Sequence, residues 1–225
     1  MRWIKNYQLF LFDFDGLLVN TEEIHYQAYK NMCAQRGFTL DWDFPKYCSI
    51  AHYTSGGLEE QIYADFPKLK AIEPSWKVLY GEKKQAFLDL VQNGAVHLMP
   101  GVETLLQALQ EAGINRCVVT HSADELVSSI RKHNPILNSI PYWITREHYS
   151  QPKPSSECYL KAIEMLADEN DKVIGFEDTP RGLQALMGTR ANPVLVCDTA
   201  YPEIPSFIQN GVKHFTNLNN VFNDS

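Results

Sequence analysis

The chain has 225 residues, 44% apolar and 21% charged, which suits one large α/β domain or a domain with a smaller insert and excludes a disordered chain. A formal charge of −7 lacks the basic excess of a general nucleic-acid binder, while leaving small anionic ligands open. The five cysteines (Cys33, Cys48, Cys117, Cys158, Cys197) include no Cys-x-x-Cys pair, so buried reduced thiols are expected rather than a disulfide framework. The first residues lack the apolar core of a signal peptide and no stretch is long enough to span a membrane, so the expectation is a cytoplasmic monomer with no membrane partner.

Gln8-Leu9-Phe10-Leu11-Phe12 is an apolar run that reads as a strand buried on both faces, as in a parallel sheet. It runs straight into Asp13 and Asp15, whose burial is costly unless the carboxylates meet a cation or hydrogen-bond donors. Gly16 lets the backbone turn out of the strand. A helix follows, with Asn20 and Glu23 as a capping box, an apolar stripe through Ile24, Ala28, Met32 and Cys33, and a stop at Gly37. Beyond it no buried strand is expected until position 99. Helices are predicted over Leu58 to Phe66 and Ser75 to Gln92, with the aromatics Tyr53, Trp76 and Tyr80 packing inside a helical insertion.

From Met99 the pattern changes. Val102, Leu105, Leu106, Leu109 and Ala112 form an amphipathic stripe closed by Gly113. Strands are then predicted at Arg116–Thr120, Tyr142–Thr145, Lys172–Phe176 and Val194–Cys197, with a weak one near Lys213–Thr216. Helices separate them, one opened by a Ser122/Glu125 capping box and another by Thr179 with Pro180 at its first position. Alternating strands and helices predict an α/β fold with a doubly wound parallel sheet. The core would be residues 1–19 and 97–225, and the helical insertion 20–96.

Ligands of such sheets bind beyond the carboxyl ends of the strands, near the switch in strand order. Four strand ends deliver polar residues there: Asp13 and Asp15, Thr120, Lys153 after the third strand, and Glu177-Asp178. The types suit phosphate chemistry. Asp13 can attack phosphorus and form an acyl phosphate that water cleaves. Asp15 can protonate the leaving oxygen and later deprotonate water. Mg²⁺ suits the all-oxygen site, with Asp178 as anchor beside Asp13 and Glu177 helping. Thr120 and the amides opening the next helix can hold phosphate oxygens, and Lys153 can neutralise charge on the phosphoryl group. Gly16 and His121 would line the phosphate pocket, and His25, one helical turn beyond Thr21, would either face the cleft or pack inside the helical insertion. Arg181 is expected at the helix surface or in an ion pair. A calcium loop fails, because its third oxygen ligand would be Leu17.

These residues resemble the haloacid dehalogenase superfamily in its phosphatase and β-phosphoglucomutase-like branch. Asp13-Phe-Asp-Gly-Leu-Leu-Val-Asn-Thr-Glu looks like its first motif, Val118-Val-Thr-His-Ser its second, Lys153-Pro154 with Tyr159 its third, and Gly175-Phe-Glu-Asp-Thr-Pro-Arg-Gly its fourth. The resemblance implies an aspartyl-phosphate mechanism, Mg²⁺ bound in part by the main-chain oxygen of Asp15, and a mobile helical cap. Asn20 stands where relatives usually carry aspartate, His121 where they have a small residue or Asn, and Ser156-Glu157 where they have Pro-Asp. The segment from Tyr47 to Gly57 lacks the arginine-bearing pattern of the phosphoglucomutases. The expected activity is therefore hydrolysis of a small phosphorylated metabolite, the alternatives being a sugar-phosphate phosphomutase or a weakly active binding or regulatory homologue.

Overall fold

The computed structural model describes residues 1–53 and 56–221, with residues 52 and 53 described by backbone alone, so the expectation for Tyr53 lies outside the described side chains. Leu9–Phe12 forms β1, fully buried along its length. It is joined by β2 (Asn115–Val119), β3 (Tyr142–Ile144), β4 (Val173–Glu177), β5 (Asn192–Val196) and β6 (Lys213–Phe215). The order is β3-β2-β1-β4-β5-β6 and every pairing is parallel. The fold is thus the expected doubly wound α/β sheet. The order reverses at β1, which has β2 on one side and β4 on the other, and that reversal opens the crevice in which such sheets bind ligands.

Register decides what reaches that crevice. Phe12 pairs with Val118 and with Phe176, so the residue after each falls at the same level. The Asp13 amide extends the ladder by donating to the Phe176 carbonyl at 3.0 Å. Asp13 and Glu177 are therefore neighbours by construction, one just past β1 and the other closing β4.

The two faces of the sheet are packed differently. On one, Leu9, Leu11, Cys117 and Val119 meet Cys158, Tyr159 and Ala162 of α8 (Glu157–Leu166) and Leu186 of α9 (Pro180–Met187). Gly175 on β4 allows that contact, since a Cβ there would lie 2.5 Å from Leu186 Cδ1. On the other face Phe12 stacks on Phe176 with ring centroids 5.3 Å apart, and Phe10 stacks on Phe176 at 6.1 Å. All five cysteines are buried and free. No helix among the described residues is long and apolar enough to cross a membrane.

The chain divides into two compact units, residues 1–20 with 97–225, and residues 21–96. The second is helical, containing α1 (Thr21–Gln35), α2 (Phe44–Tyr53), α3 (Gly57–Asp65), α4 (Pro67–Ile72) and α5 (Trp76–Gln92). Two of these, α2 and α4, were not expected from the sequence. Helix α3 ends just before Pro67, and Pro67 also opens α4 at the position where its missing N–H costs nothing. Tyr29, Met32, Leu40, Trp42, Tyr47, Ile62 and Leu79 form this unit's own core, with Trp76 packed against it and Tyr80 exposed.

Lys83 on α5 is only 4% exposed. Its ammonium lies 2.7 Å from His25 Nδ1, 4.8 Å from the Tyr29 ring centroid and 5.4 Å from that of Phe87. Burial pulls its pKa from 10.5 down to about 8, against the opposing pull of Glu22. Because the folded value is the lower one, the unfolded chain holds the extra proton between about pH 8 and pH 10.5, and stability rises with pH across that window. Lys83→Met is expected to be more stable than wild type at pH 7 by about 1–3 kcal/mol. In urea unfolding the difference should shrink as pH rises through that window, and a constant difference would show that Lys83 is not buried as a cation.

Candidate active site

Lys153 sits at the centre of the crevice. Its Nζ donates to Asp13 Oδ1 at 2.5 Å, Glu177 Oε1 at 2.6 Å, the Val119 carbonyl at 2.9 Å and the Tyr159 hydroxyl at 3.1 Å. Tyr159, fully buried on α8, donates its hydroxyl to Glu177 Oε1. The ammonium thus ties the end of β1 to the end of β4 and takes a carbonyl from β2. Burial alone would lower the Lys153 pKa, but the Asp13 and Glu177 carboxylates outweigh it and hold it well above the ordinary lysine value.

Backbone contacts keep Lys153 in place. Arg181, expected at the helix surface or in an ion pair, instead donates its Nε to the Lys153 main-chain carbonyl. Glu157, the first residue of α8, accepts the amides of Ser150 at 2.8 Å and Gln151 at 2.7 Å and so pins the loop that carries Lys153. Burial of Glu177 depends on Gly182 in α9, where a Cβ would fall 2.0 Å from Glu177 Oε2. The predicted Thr179 cap is present, its side chain accepting the Gly182 amide at 3.2 Å with Pro180 at the first helical position.

Asp15 lies just before the turn at Gly16, which has φ +80° and whose amide bonds the Val19 carbonyl at 2.8 Å. Thr120, just past β2, donates its hydroxyl to Asp15 Oδ2 at 3.0 Å, and Ser122 donates to the same oxygen at 2.7 Å. This corrects one sequence expectation. Helix α7 (Asp124–His133) has Ala123 at its cap position with no side-chain cap, so Ser122 is not an N-cap. The Ser122 amide bonds Thr120 Oγ1 at 2.9 Å.

His121 is exposed, its Nδ1 3.0 Å from the Tyr149 hydroxyl, which itself donates to the Thr120 carbonyl at 3.1 Å. With the Tyr149 proton so used, Nδ1 must carry the hydrogen. Burial, followed by the nearby cations Arg146, Arg181 and Lys153, lowers the His121 pKa, so the ring is neutral at pH 7. It offers the crevice a polar edge and no positive charge. His25 belongs to the helical unit, where its ring stacks on Phe87 at 4.0 Å between centroids and its Nδ1 meets Lys83. Asn20, expected at the start of the first helix, accepts the His97 amide on its side-chain oxygen at 2.7 Å and donates its own amide to the His97 carbonyl at 3.0 Å.

Four strand ends of one parallel sheet thus bring together a buried carboxylate bonded to a buried lysine, a second carboxylate bonded to two hydroxyls, and an acidic pair. A family model described as haloacid dehalogenase-like hydrolase matches residues 10–194, most of the chain. The chain belongs to that family. Curated relatives include protein CbbY of Rhodobacter capsulatus, 26% identical over 82% of this chain and 83% of its own length, and hexitol phosphatase A of Escherichia coli, 26% identical over 87% and 85%. Among solved structures, a putative β-phosphoglucomutase from Thermotoga maritima superposes with a TM-score of 0.76 over 97% of this chain and all of its own, at 18% identity.

In this hydrolase one carboxylate oxygen from each of Asp13, Glu177 and Asp178 lies within 4.8 Å of the others, and all three residues are buried. Three carboxylates against one ammonium leave uncompensated negative charge in a low-dielectric pocket, which fits a hard divalent cation held by oxygens. The Asp13 carboxyl shows the strain electrostatically. Burial raises its pKa well above the carboxylate range, Lys153 pulls it back, and Glu177 and Asp15 push it further up. A carboxyl with a raised folded pKa stabilises the fold fully below the ordinary carboxylate range, and that contribution is lost as pH climbs towards the raised value. A cation that favours the ionised form should therefore stabilise the protein more at pH 7.5 than at pH 5. At about a hundred times its dissociation constant it would add about 2.7 kcal/mol, or several degrees in Tm. The check is a thermal melt with and without Mg²⁺ at both pH values. Asp178→Asn should shrink the gain, and an equal gain at both pH values in wild type and variant would count against a cation among these carboxylates.

Proposed function

We propose that the hydrolase is a Mg²⁺-dependent phosphatase of a small phosphorylated metabolite, working through an aspartyl-phosphate on Asp13. The observation that carries this reading is the Lys153 ammonium held 2.5 Å from Asp13 and 2.6 Å from Glu177, beside Asp178, at the switch point of the sheet. Mg²⁺ held by Asp13, Asp178 and the Asp15 carbonyl, with Glu177 reaching it directly or through water, would screen the repulsion between carboxylate and phosphate. The names of the curated relatives, a hexitol phosphatase among them, support phosphate esters as the substrate class.

The protein's own residues divide the work. A carboxylate oxygen of Asp13 forms a bond to phosphorus as the ester P–O bond breaks. The departing oxygen takes the proton of Asp15 and leaves as an alcohol. Water then attacks the phosphorus, giving a proton to Asp15 as the Asp13–phosphorus linkage breaks, and inorganic phosphate departs with both aspartates restored. Lys153 offsets charge on Asp13 and the phosphoryl oxygens throughout. Thr120 exchanges its hydrogen bond to Asp15 for a phosphate oxygen, the turn at Gly16 leaves the backbone open to the phosphoryl group, and neutral His121 lines the rim. A retired binding homologue would be expected to have lost one of these groups, and this chain has all of them.

Hydrolysis of 4-nitrophenyl phosphate should require Mg²⁺, and Asp13→Asn should lower kcat by at least about a thousandfold, or about 4 kcal/mol of barrier. Near wild-type turnover in that variant would rule out Asp13 as nucleophile. A wild type that releases no phosphate from a broad panel of esters, yet interconverts sugar phosphates, would instead be a phosphomutase.

A further inference from the structure

Asp15 Oδ2 is met by two hydroxyls, and the nearer belongs to a residue outside the chemistry assigned so far. Ser122 Oγ donates to it at 2.7 Å and Thr120 Oγ1 at 3.0 Å. Thr120 Oγ1 in turn accepts the Ser122 amide at 2.9 Å, so the two residues and the carboxylate close a ring of three hydrogen bonds. The Ser122 carbonyl accepts the Arg146 amide at 3.4 Å, which ties its backbone to the segment after β3. Ser122 is half-buried, and neither of its main-chain groups nor its side chain is left loose.

An sp² carboxylate oxygen has two lone-pair directions, and both on Oδ2 now face hydroxyl protons. The consequence is rotational. The terminal torsion of an aspartate is broad and nearly two-fold, so packing by itself hardly distinguishes its two oxygens. Two donors converging on one oxygen do distinguish them. Oδ2 is committed as an acceptor, and a proton carried by Asp15 sits on Oδ1.

We propose that Ser122 is a positioning residue for Asp15: it fixes the carboxyl so that the same oxygen, Oδ1, delivers the proton to the leaving group and recovers one from water. This rests on the acid–base reading of Asp15 given above. Thr120 does not keep its bond to the carboxyl throughout the reaction, because its hydroxyl is also the one that turns to the phosphoryl group. When Thr120 turns away, Ser122 keeps its bond to Oδ2, and the carboxyl keeps its orientation through both half-reactions.

Leaving-group dependence tests this. A 4-nitrophenolate departs readily without a proton, whereas an alkoxide needs one, so loss of acid catalysis lowers kcat/KM for an alkyl phosphate much more than for an aryl phosphate. Both should be measured, with saturating Mg²⁺, for wild type, Ser122→Ala, Ser122→Cys, Ser122→Thr and Asp15→Asn, each first shown to be folded by circular dichroism. Asp15→Asn is expected to lose alkyl activity far more than aryl activity. Ser122→Ala should follow the same pattern in milder form, with the alkyl-to-aryl ratio of kcat/KM falling roughly tenfold. Ser122→Thr, which keeps the hydroxyl, should restore the ratio to within about threefold, and Ser122→Cys, with its weak S–H donor, should fall between. If Asp15→Asn discriminates between the esters but the Ser122 variants lower both equally or neither, the positioning proposal fails alone. If Asp15→Asn itself lowers both equally, the acid–base reading fails and this inference with it.

Discussion

The carboxyl edge of this sheet depends on one buried ammonium. The register that sets Phe12 beside Phe176 also sets Asp13 beside Glu177, and two carboxylates so placed inside a protein repel each other strongly. Lys153 makes the juxtaposition tolerable by donating to both. Removing one partner from a buried ionic cluster costs about 3–5 kcal/mol, because the survivor is left uncompensated. The chain accordingly supports Lys153 with contacts that never touch a phosphate: Tyr159 from below, Arg181 on its carbonyl and Glu157 on the loop before it.

The helical unit buries a second lysine under opposite conditions. Lys153 is flanked by carboxylates and its proton is held tightly, whereas Lys83 is flanked by aromatic faces and an imidazole and its proton is held loosely. The same side chain, equally hidden, is a fixed charge in one place and a titrating group in the other. Neighbours, rather than depth of burial, decide which.

Much of this was legible in the sequence because it rests on period and order. The continuous apolar runs gave a parallel sheet, the regular alternation gave its winding, and Asp13, Asp15, Thr120, Lys153, Glu177 and Asp178 were legible because each ends a strand or follows one. What escaped was set by three-dimensional approach. Ser122 looked like a helix cap because Glu125 follows at the right spacing, yet the helix begins two residues later, with Ala123 at its cap position. Its amide is instead drawn back to the Thr120 hydroxyl through a bend at His121 and Ser122. Arg181 read as surface because nothing local shows that α9 passes the Lys153 loop. Gly182 is a glycine only because Glu177 Oε2 lies where its Cβ would be, and no helix pattern contains that fact. Helix α4 was missed because it is only six residues long and begins at a proline, which read as a stop.

The hydrogen bonds between Asn20 and His97 stand beside a bridge between Val19 and Leu98 and a further bond from the Met99 amide to the Leu18 carbonyl. In polymer terms this is a neck, the point where a long excursion of the chain is closed. A flexible loop the length of residues 21–96 would cost about 4 kcal/mol to close, by the usual logarithmic scaling. A folded unit whose own ends already lie together avoids most of that cost. What the core requires of the insertion is thus a boundary condition, two chain ends a hydrogen bond apart. Any folded segment that meets that condition closes the core equally well, whatever its length.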